Sequence, residues 1–258
     1  MIDLHNHLLG EDELEDNLEG ALALCEQAQR DGVKEVVVTL RVGLEDKRGW
    51  SETYERRLAE LREQVGKWLK VSCGYEWVLS ADLPSQLRRF TGTPTINESR
   101  YLLLSFPSLQ PPIGYERVLM ELLTEGYIPI ITHPECSRAL RRETALISTF
   151  IKLGALIQID ALSVLGGYGA EVERFARRLL ERGEAHFIAT RASQRKRREV
   201  SLKAASEYAG RLIGQRAARS LVEENPQAVL GNTAIAEVPT RKSRIPALKA
   251  ALTSWGTS

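Results

Sequence analysis

The apolar positions of this chain alternate between two rhythms. Short runs at 2–7, 36–40, 71–79, 101–106, 128–133, 155–161 and 185–190 are rich in Val, Ile and Leu, as in strands covered on both faces. Between them, spacings of three and four predict helices over 14–28, 50–69, 115–125, 139–153 and 170–182, with closing helices over 199–211 and 215–224. Residues 80–100 read as irregular or short helical segments. Strand and helix alternate along the chain, which predicts a mainly parallel sheet whose strand carboxyl ends share one rim. A functional site is expected on that rim.

The first strand, Met1-Ile2-Asp3-Leu4-His5-Asn6-His7, ends in two histidines. Residues two apart in a strand share a face, so His5 and His7 are expected to aim together while Ile2 and Leu4 face the other way. Paired neutral imidazoles suit zinc, iron, manganese or similar ions, with further ligands supplied by other strands. Glu76 is the only charge in its run over 71–79. A carboxylate there must be exposed at an edge, paired or bound to a cation, because burying it alone is costly. That makes Glu76 a ligand candidate. His133, Glu135, Asp160, Arg41 and Arg191 close other strands, so candidate ligands and arginines are mixed on one rim. Glu11, Asp12 and Glu13 precede the first helix, where the dipole favours acids; they either cap it, or one leans back to a metal.

Composition bounds the setting. A chain of 258 residues with 43% hydrophobic content can bury a full core as one barrel-type domain. The net charge of +1 gives no global reason for nucleic acid or a membrane surface. Cys25, Cys73 and Cys136 lie far apart, which suits reduced thiols in a cytosol better than a disulfide framework. With no secretory pattern and no run long enough to cross a bilayer, a cytoplasmic protein is expected. Residues 232–258 carry Arg241, Lys242, Arg244 and Lys249 with little periodicity, and read as a basic, partly disordered tail behind a barrel domain over 1–231. The run Arg195-Lys196-Arg197-Arg198 reads first as a solvated helical face, with an acidic partner segment as the alternative.

Four stretches resemble one family: the opening His5-Asn6-His7, Gly74-Tyr75-Glu76, Gly126 to Glu135 with Thr132-His133-Pro134-Glu135 at its end, and Leu165-Gly166-Gly167-Tyr168-Gly169. It is the polymerase-and-histidinol-phosphatase (PHP) family, and within it the bacterial CpsB/CapC-type metal-dependent protein-tyrosine phosphatases. The likeness runs from Met1 to about Gly231. It implies a distorted seven-stranded, TIM-like β/α barrel with manganese-like metals at the rim. It also implies, as partner, a phosphotyrosine-bearing protein such as a polysaccharide-assembly tyrosine kinase, and is compatible with an oligomer. It carries over His5 and His7 as ligands, Glu76 as a metal-bridging carboxylate and His133 as a further ligand. Asp12 or Glu13 matches an aspartate of the loop after the paired histidines.

The departures concern the same site. Where the family has Thr-Pro-His, this chain has Thr39-Leu40-Arg41; where it has Ser-Asp-Ala-His, this chain has Thr190-Arg191-Ala192-Ser193; and Cys136 replaces the arginine that follows His-Pro-Glu. A guanidinium stays protonated and offers no lone pair. Pointed inward, each arginine repels a nearby divalent ion by about 2 kcal/mol or more at an effective dielectric near 20. A full three-metal cluster is therefore not expected. What survives is a site for one ion, manganese first with zinc or iron as alternatives, held by His5, His7 and Glu76 with His133 beside it.

Two functions stay open at this point. One is a phosphoesterase in which Arg41, Arg191 and Arg138 hold the phosphate oxygens that extra metals would hold. The other is a pseudophosphatase that binds a phosphorylated protein or phosphate ligand without turning it over. Both would lose support if the arginines turned outward to the acids of 11–19. Cys136 and Arg142 also fit the Cys-x5-Arg spacing of thiol-dependent phosphatases, but no glycine lies between them to form a phosphate-cradling loop.

Overall fold

The β-branched apolar runs become parallel strands that pair in sequence order. They are β1 (Ile2–Asn6), β2 (Glu35–Val42), β3 (Lys70–Val78), β4 (Tyr101–Ser105), β5 (Ile128–Thr132), β6 (Leu156–Asp160) and β7 (Phe187–Ala189). This is a computed structural model, and it describes residues 1–9, 18–42, 50–107, 113–194 and 200–235. Past the end of β7 the chain returns to β1: Arg191 N–H donates to His5 O at 2.9 Å and His7 N–H to Ala192 O at 2.8 Å. The sheet is thereby a nearly closed, distorted seven-stranded barrel ringed by helices, as expected. Among the described residues no helix is long and apolar enough to cross a membrane.

Helices α1 (Leu18–Arg30), α2 (Trp50–Val65), α3 (Leu83–Arg89) and α4 (Tyr115–Thr124) follow the first four strands. The period over 139–153 is broken into α5 (Arg138–Arg142) and α6 (Ala145–Leu153). The break falls at Glu143, whose φ of −109° and ψ of 66° leave the helical region. After β6 come α7 (Ala161–Val164) and α8 (Ala170–Arg182); α9 (Leu202–Ile213), α10 (Gln215–Arg219) and α11 (Asn225–Leu230) close the chain. Asn232 and Thr233 then hydrogen-bond Arg100 and Tyr101, so the first residues after the barrel domain lie against it. The charged part of the expected tail, the basic run at 195–198 and the acids at 11–13 lie outside the described residues.

Strand alternation sorts the core into two layers. Val36, Val38 and Leu40 with Tyr75, Trp77, Leu102, Leu104, Ile157 and Ile159 pack outward against the helices. Ile2, Leu4, Val37, Leu103, Ile130 and Phe187 fill the barrel interior, with Val229 and Leu230 of α11 packed on them. Gly74 belongs to this inner layer: a Cβ there would meet Val37 Cγ1 at 3.1 Å. The plug fills the interior towards the strand starts and leaves the carboxyl-end layer to polar side chains.

One irregularity decides how β1 contributes to both layers. Asp3 pairs with Val36 and Asn6 with Val38, so β1 takes three steps where β2 takes two. Leu4 and His5 consequently share the position opposite Val37, and both face inward. The expectation that Ile2 and Leu4 face away from the histidines is therefore corrected. They stand on the same side, in the plug. Strict alternation fails because the bulge resets the phase between Leu4 and His5.

Candidate metal centre

The top layer of the barrel gathers side chains from the ends of β1, β2, β3, β5 and β6 and from the segment after β7. Ligand atoms of His5, His7 and Glu76, all buried, lie within 4.8 Å of one another. His133 joins them from beyond β5, its Nε2 3.4 Å from Glu76 Oε1. Its backbone is left-handed, with φ 39°, a conformation histidine tolerates better than most residues. Arg191 is left-handed as well, φ 49°. Such outliers just past strand ends turn side chains over the barrel mouth, and they recur at functional sites.

Hydrogen bonding fixes the imidazoles. His7 Nδ1 lies 3.0 Å from Thr39 O, and a carbonyl only accepts, so Nδ1 carries a proton, and in the neutral ring Nε2 keeps the lone pair. His5 Nε2, 3.2 Å away, then donates to His7 Nε2, and His5 Nδ1 accepts from Gln158 Nε2 at 2.9 Å. Burial drives the His5 pKa well below its ordinary value despite the opposing pull of Glu76, so the ring stays neutral. Ligation through Nε2 requires the other tautomer of His5, with Nδ1–H directed at Gln158. Gln158 Oε1, buried and without a partner, is the acceptor that a turn of the amide brings to that proton.

Glu76 is fully buried at the centre. Its Oε1 accepts from Thr132 Oγ1 at 2.8 Å, and its Oε2 accepts from Arg41 Nε at 3.0 Å. His5 Nε2 lies 3.7 Å from Oε1 and His7 Nε2 3.8 Å from Oε2. Burial pushes the Glu76 carboxyl up, but His5, His133 and His7 outweigh it and hold the group well below the usual carboxylate range. Glu76 is thus ionised and already paired, as its place in an apolar strand required.

Both arginines at the altered positions reach carboxylates of the rim; the acids at 11–17, the outward partners considered, lie outside the described residues. Arg41 pairs with Glu76, and Arg191 Nη1 lies 3.3 Å from Asp160 Oδ2. Burial opposes the Arg191 charge, yet Asp160 and Glu76 raise its pKa on balance. Beside them Glu135 Oε1 accepts from Asp160 N–H at 2.8 Å, and burial plus the Asp160 charge push the Glu135 pKa up to about 7. Arg138 does not join this cluster; it is exposed at the start of α5. Asp12 and Glu13 lie outside the described residues.

The donor chemistry fits one divalent ion. Two imidazoles and an ionised carboxylate converge, and His133 Nε2 adds a third ring nitrogen 3.4 Å from Glu76 Oε1. Thr132 and Gln158 were not singled out from the sequence, yet they orient Glu76 and His5. The signal for Gln158 was available. It is a polar residue inside the apolar run Leu156-Ile157-Gln158-Ile159, the same pattern that marked Glu76.

The thiol reading finds no support in this geometry. Burial and the neighbouring Glu135 and Asp160 charges push the Cys136 thiol up to about 12, far from a nucleophilic thiolate at neutral pH. Residues Pro134–Cys136 form a tight helical turn and Arg138–Arg142 a helix, so no amide cradle surrounds the sulfur.

Comparison with known proteins agrees with this architecture. The Staphylococcus aureus protein CapC is 32% identical over 252 residues, covering 93% of this chain and 96% of its own length. The tyrosine-protein phosphatase YwqE of Bacillus subtilis is 28% identical over 254 residues, covering 93% and 95%. A crystal structure described with YwqE and with CpsB of Streptococcus pneumoniae as unique metal-dependent tyrosine phosphatases superposes with a TM-score of 0.81. It is 24% identical and covers 93% of this chain and 98% of that one. The family model for capsular polysaccharide synthesis, CpsB/CapC, matches residues 1–231. With that match and the barrel-mouth cluster of histidines and glutamate, the chain belongs to the CpsB/CapC family, carrying an incomplete metal site flanked by Arg41 and Arg191.

Proposed function

We propose that this protein is a cytoplasmic, metal-dependent phosphoesterase acting on phosphotyrosine in a protein partner, such as a kinase of polysaccharide assembly. The observation that carries the reading is the convergence of His5, His7 and Glu76 within 4.8 Å at the mouth of a CpsB/CapC-family barrel. These three, with His133, would hold one divalent ion, manganese foremost. When bound, such an ion supplies an activated water and a Lewis acid for a phosphoryl oxygen. Arg191, fixed by Asp160, presents a guanidinium to the phosphate oxygens, and Arg41 offers a second. Thr132 and Gln158 hold Glu76 and His5 in place.

A second reading, a pseudophosphatase, is favoured by one specific observation: Arg41 already neutralises Glu76. The test that separates them is elemental analysis of protein purified without chelator, paired with turnover of p-nitrophenyl phosphate and a phosphotyrosine peptide. About one equivalent of metal, lost in His5→Ala together with turnover, supports the phosphoesterase. Anion binding without turnover, even with added manganese or zinc, supports the pseudophosphatase.

A further inference from the structure

Resting on the reading of Arg191 as a phosphate ligand, we propose that Thr190 and Asp3 form a buried clamp that positions Arg191 from behind the sheet. Asp3 is a buried carboxylate that is not among the ligand groups converging at the mouth. Its Oδ1 accepts from Thr190 N–H at 3.0 Å, and its Oδ2 accepts from the Thr190 hydroxyl. The same hydroxyl accepts from Ala192 N–H at 3.1 Å. Thr190 is thus tied to β1 on one side and to the residue beyond Arg191 on the other.

Arg191 needs such a hold. Its φ of 49° is left-handed, a conformation that a residue with a long side chain keeps only when its surroundings impose it. From that turn its N–H donates to His5 O at 2.9 Å, while Nη1 reaches to 3.3 Å from Asp160 Oδ2. The guanidinium is then close enough to His5 and Glu76 for its charge to act on both. Asp160 meets the far end of the side chain, and the clamp fixes its root.

Asp3 and Thr190 line the space between β1 and α1 with Leu24 and Ala28, on the helix side of the sheet. A ligand at the mouth does not touch them. They are positioning residues, acting through the direction in which Arg191 leaves the backbone. Bidentate pairing of a guanidinium with phosphate depends on that direction, because both N–H bonds of the fork must meet their oxygens at once. Asp3 also accepts from His5 N–H, so its replacement would disturb the strand that carries two ligands. Thr190 is the cleaner handle.

The experiment measures phenylphosphonate binding to the full chain by calorimetry at saturating Mn²⁺, and Mn²⁺ binding separately by electron paramagnetic resonance. Thr190→Val removes both hydroxyl contacts and is expected to weaken phenylphosphonate binding about tenfold, with a much smaller change in Mn²⁺ affinity. Thr190→Ser keeps the hydroxyl and should bind the anion as wild type does. Arg191→Gln, with Arg191→Met as a second neutral variant, removes the group that the clamp serves. On either background Thr190→Val is expected to cost nothing further. Unchanged anion affinity in Thr190→Val, beside weakened binding in the Arg191 variants, would overturn the clamp and leave Arg191 a phosphate ligand. A full further loss on the Arg191 backgrounds, or equal losses of Mn²⁺ and anion affinity in Thr190→Val, would overturn it in favour of a general loosening of the strands. Unchanged anion affinity in both Arg191 variants would overturn the reading of Arg191 itself, and the clamp with it.

Discussion

Replacing Glu76 by glutamine tests whether the cluster is held together by its own charges before any ion arrives. In a site built from excess carboxylates, neutralising one relieves repulsion and raises the stability of the metal-free protein. Here the balance runs the other way. Glu76 is fully buried, accepts from Thr132 at 2.8 Å and from Arg41 at 3.0 Å, and is ringed by three imidazoles. Glutamine keeps the volume but removes the charge on which the guanidinium depends. Because Arg41 is one-third exposed, water screens part of the loss. The remaining cost, from a charged hydrogen bond and a poorly matched buried amide, is about 2–4 kcal/mol. For a chain of this size that corresponds to a drop in Tm on the order of 5–10 °C. The assay is thermal unfolding of chelator-treated wild type and Glu76→Gln at pH 7 and low salt. A variant whose metal-free Tm equals or exceeds that of wild type would refute the argument that Glu76 is charge-paired in the resting site. With manganese added, wild type should gain stability and the variant should not.

Two further outcomes follow from individual contacts. Thr132→Val keeps the shape of the side chain but removes the hydroxyl that orients Glu76 Oε1. It should weaken Mn²⁺ affinity about tenfold and lower the metal-free Tm by a few degrees, because buried Glu76 loses a donor, and an unchanged affinity in competition with a chelating dye would show that the hydroxyl does not position the carboxylate. His186 Nδ1 accepts from Ile157 N–H at 3.1 Å, and burial lowers the ring pKa from 6.5 to about 4. The unfolded chain takes up a proton that the folded chain refuses. Stability present above pH 6.5 is therefore lost as pH falls towards 4, by about 3 kcal/mol in all. Asparagine can place its amide oxygen near the position of Nδ1 without titrating. Urea denaturation of His186→Asn should accordingly give a flatter stability profile between pH 6.5 and 4, and parallel profiles for the two proteins would sink the assignment.

The alternation of apolar runs and helical periods was enough to determine a mainly parallel sheet, because strands covered on both faces and helices with one apolar stripe leave few other ways to bury themselves; its closure into a seven-stranded barrel was what the family resemblance implied. The same rule marked His5, His7, Glu76 and His133. Ionisable residues at the ends of apolar strands cannot be buried without partners, so they had to meet one another or a cation. What a strand pattern cannot carry is a phase shift. The bulge between Asp3 and Asn6 puts Leu4 and His5 on one side, and only the register against β2 reveals it. Nor did the sequence say where Arg41 and Arg191 point, since a long flexible cation can leave a barrel mouth as readily as enter it. That was decided by which carboxylates the closed sheet brings within reach: Glu76 from the neighbouring strand for Arg41, and Asp160 at the end of β6 for Arg191. Residue type and spacing thus determined which chemistry the rim can hold. The tertiary structure decided that two fixed positive charges share it, because ion pairing in a buried layer depends on distances set only when the strands close the barrel.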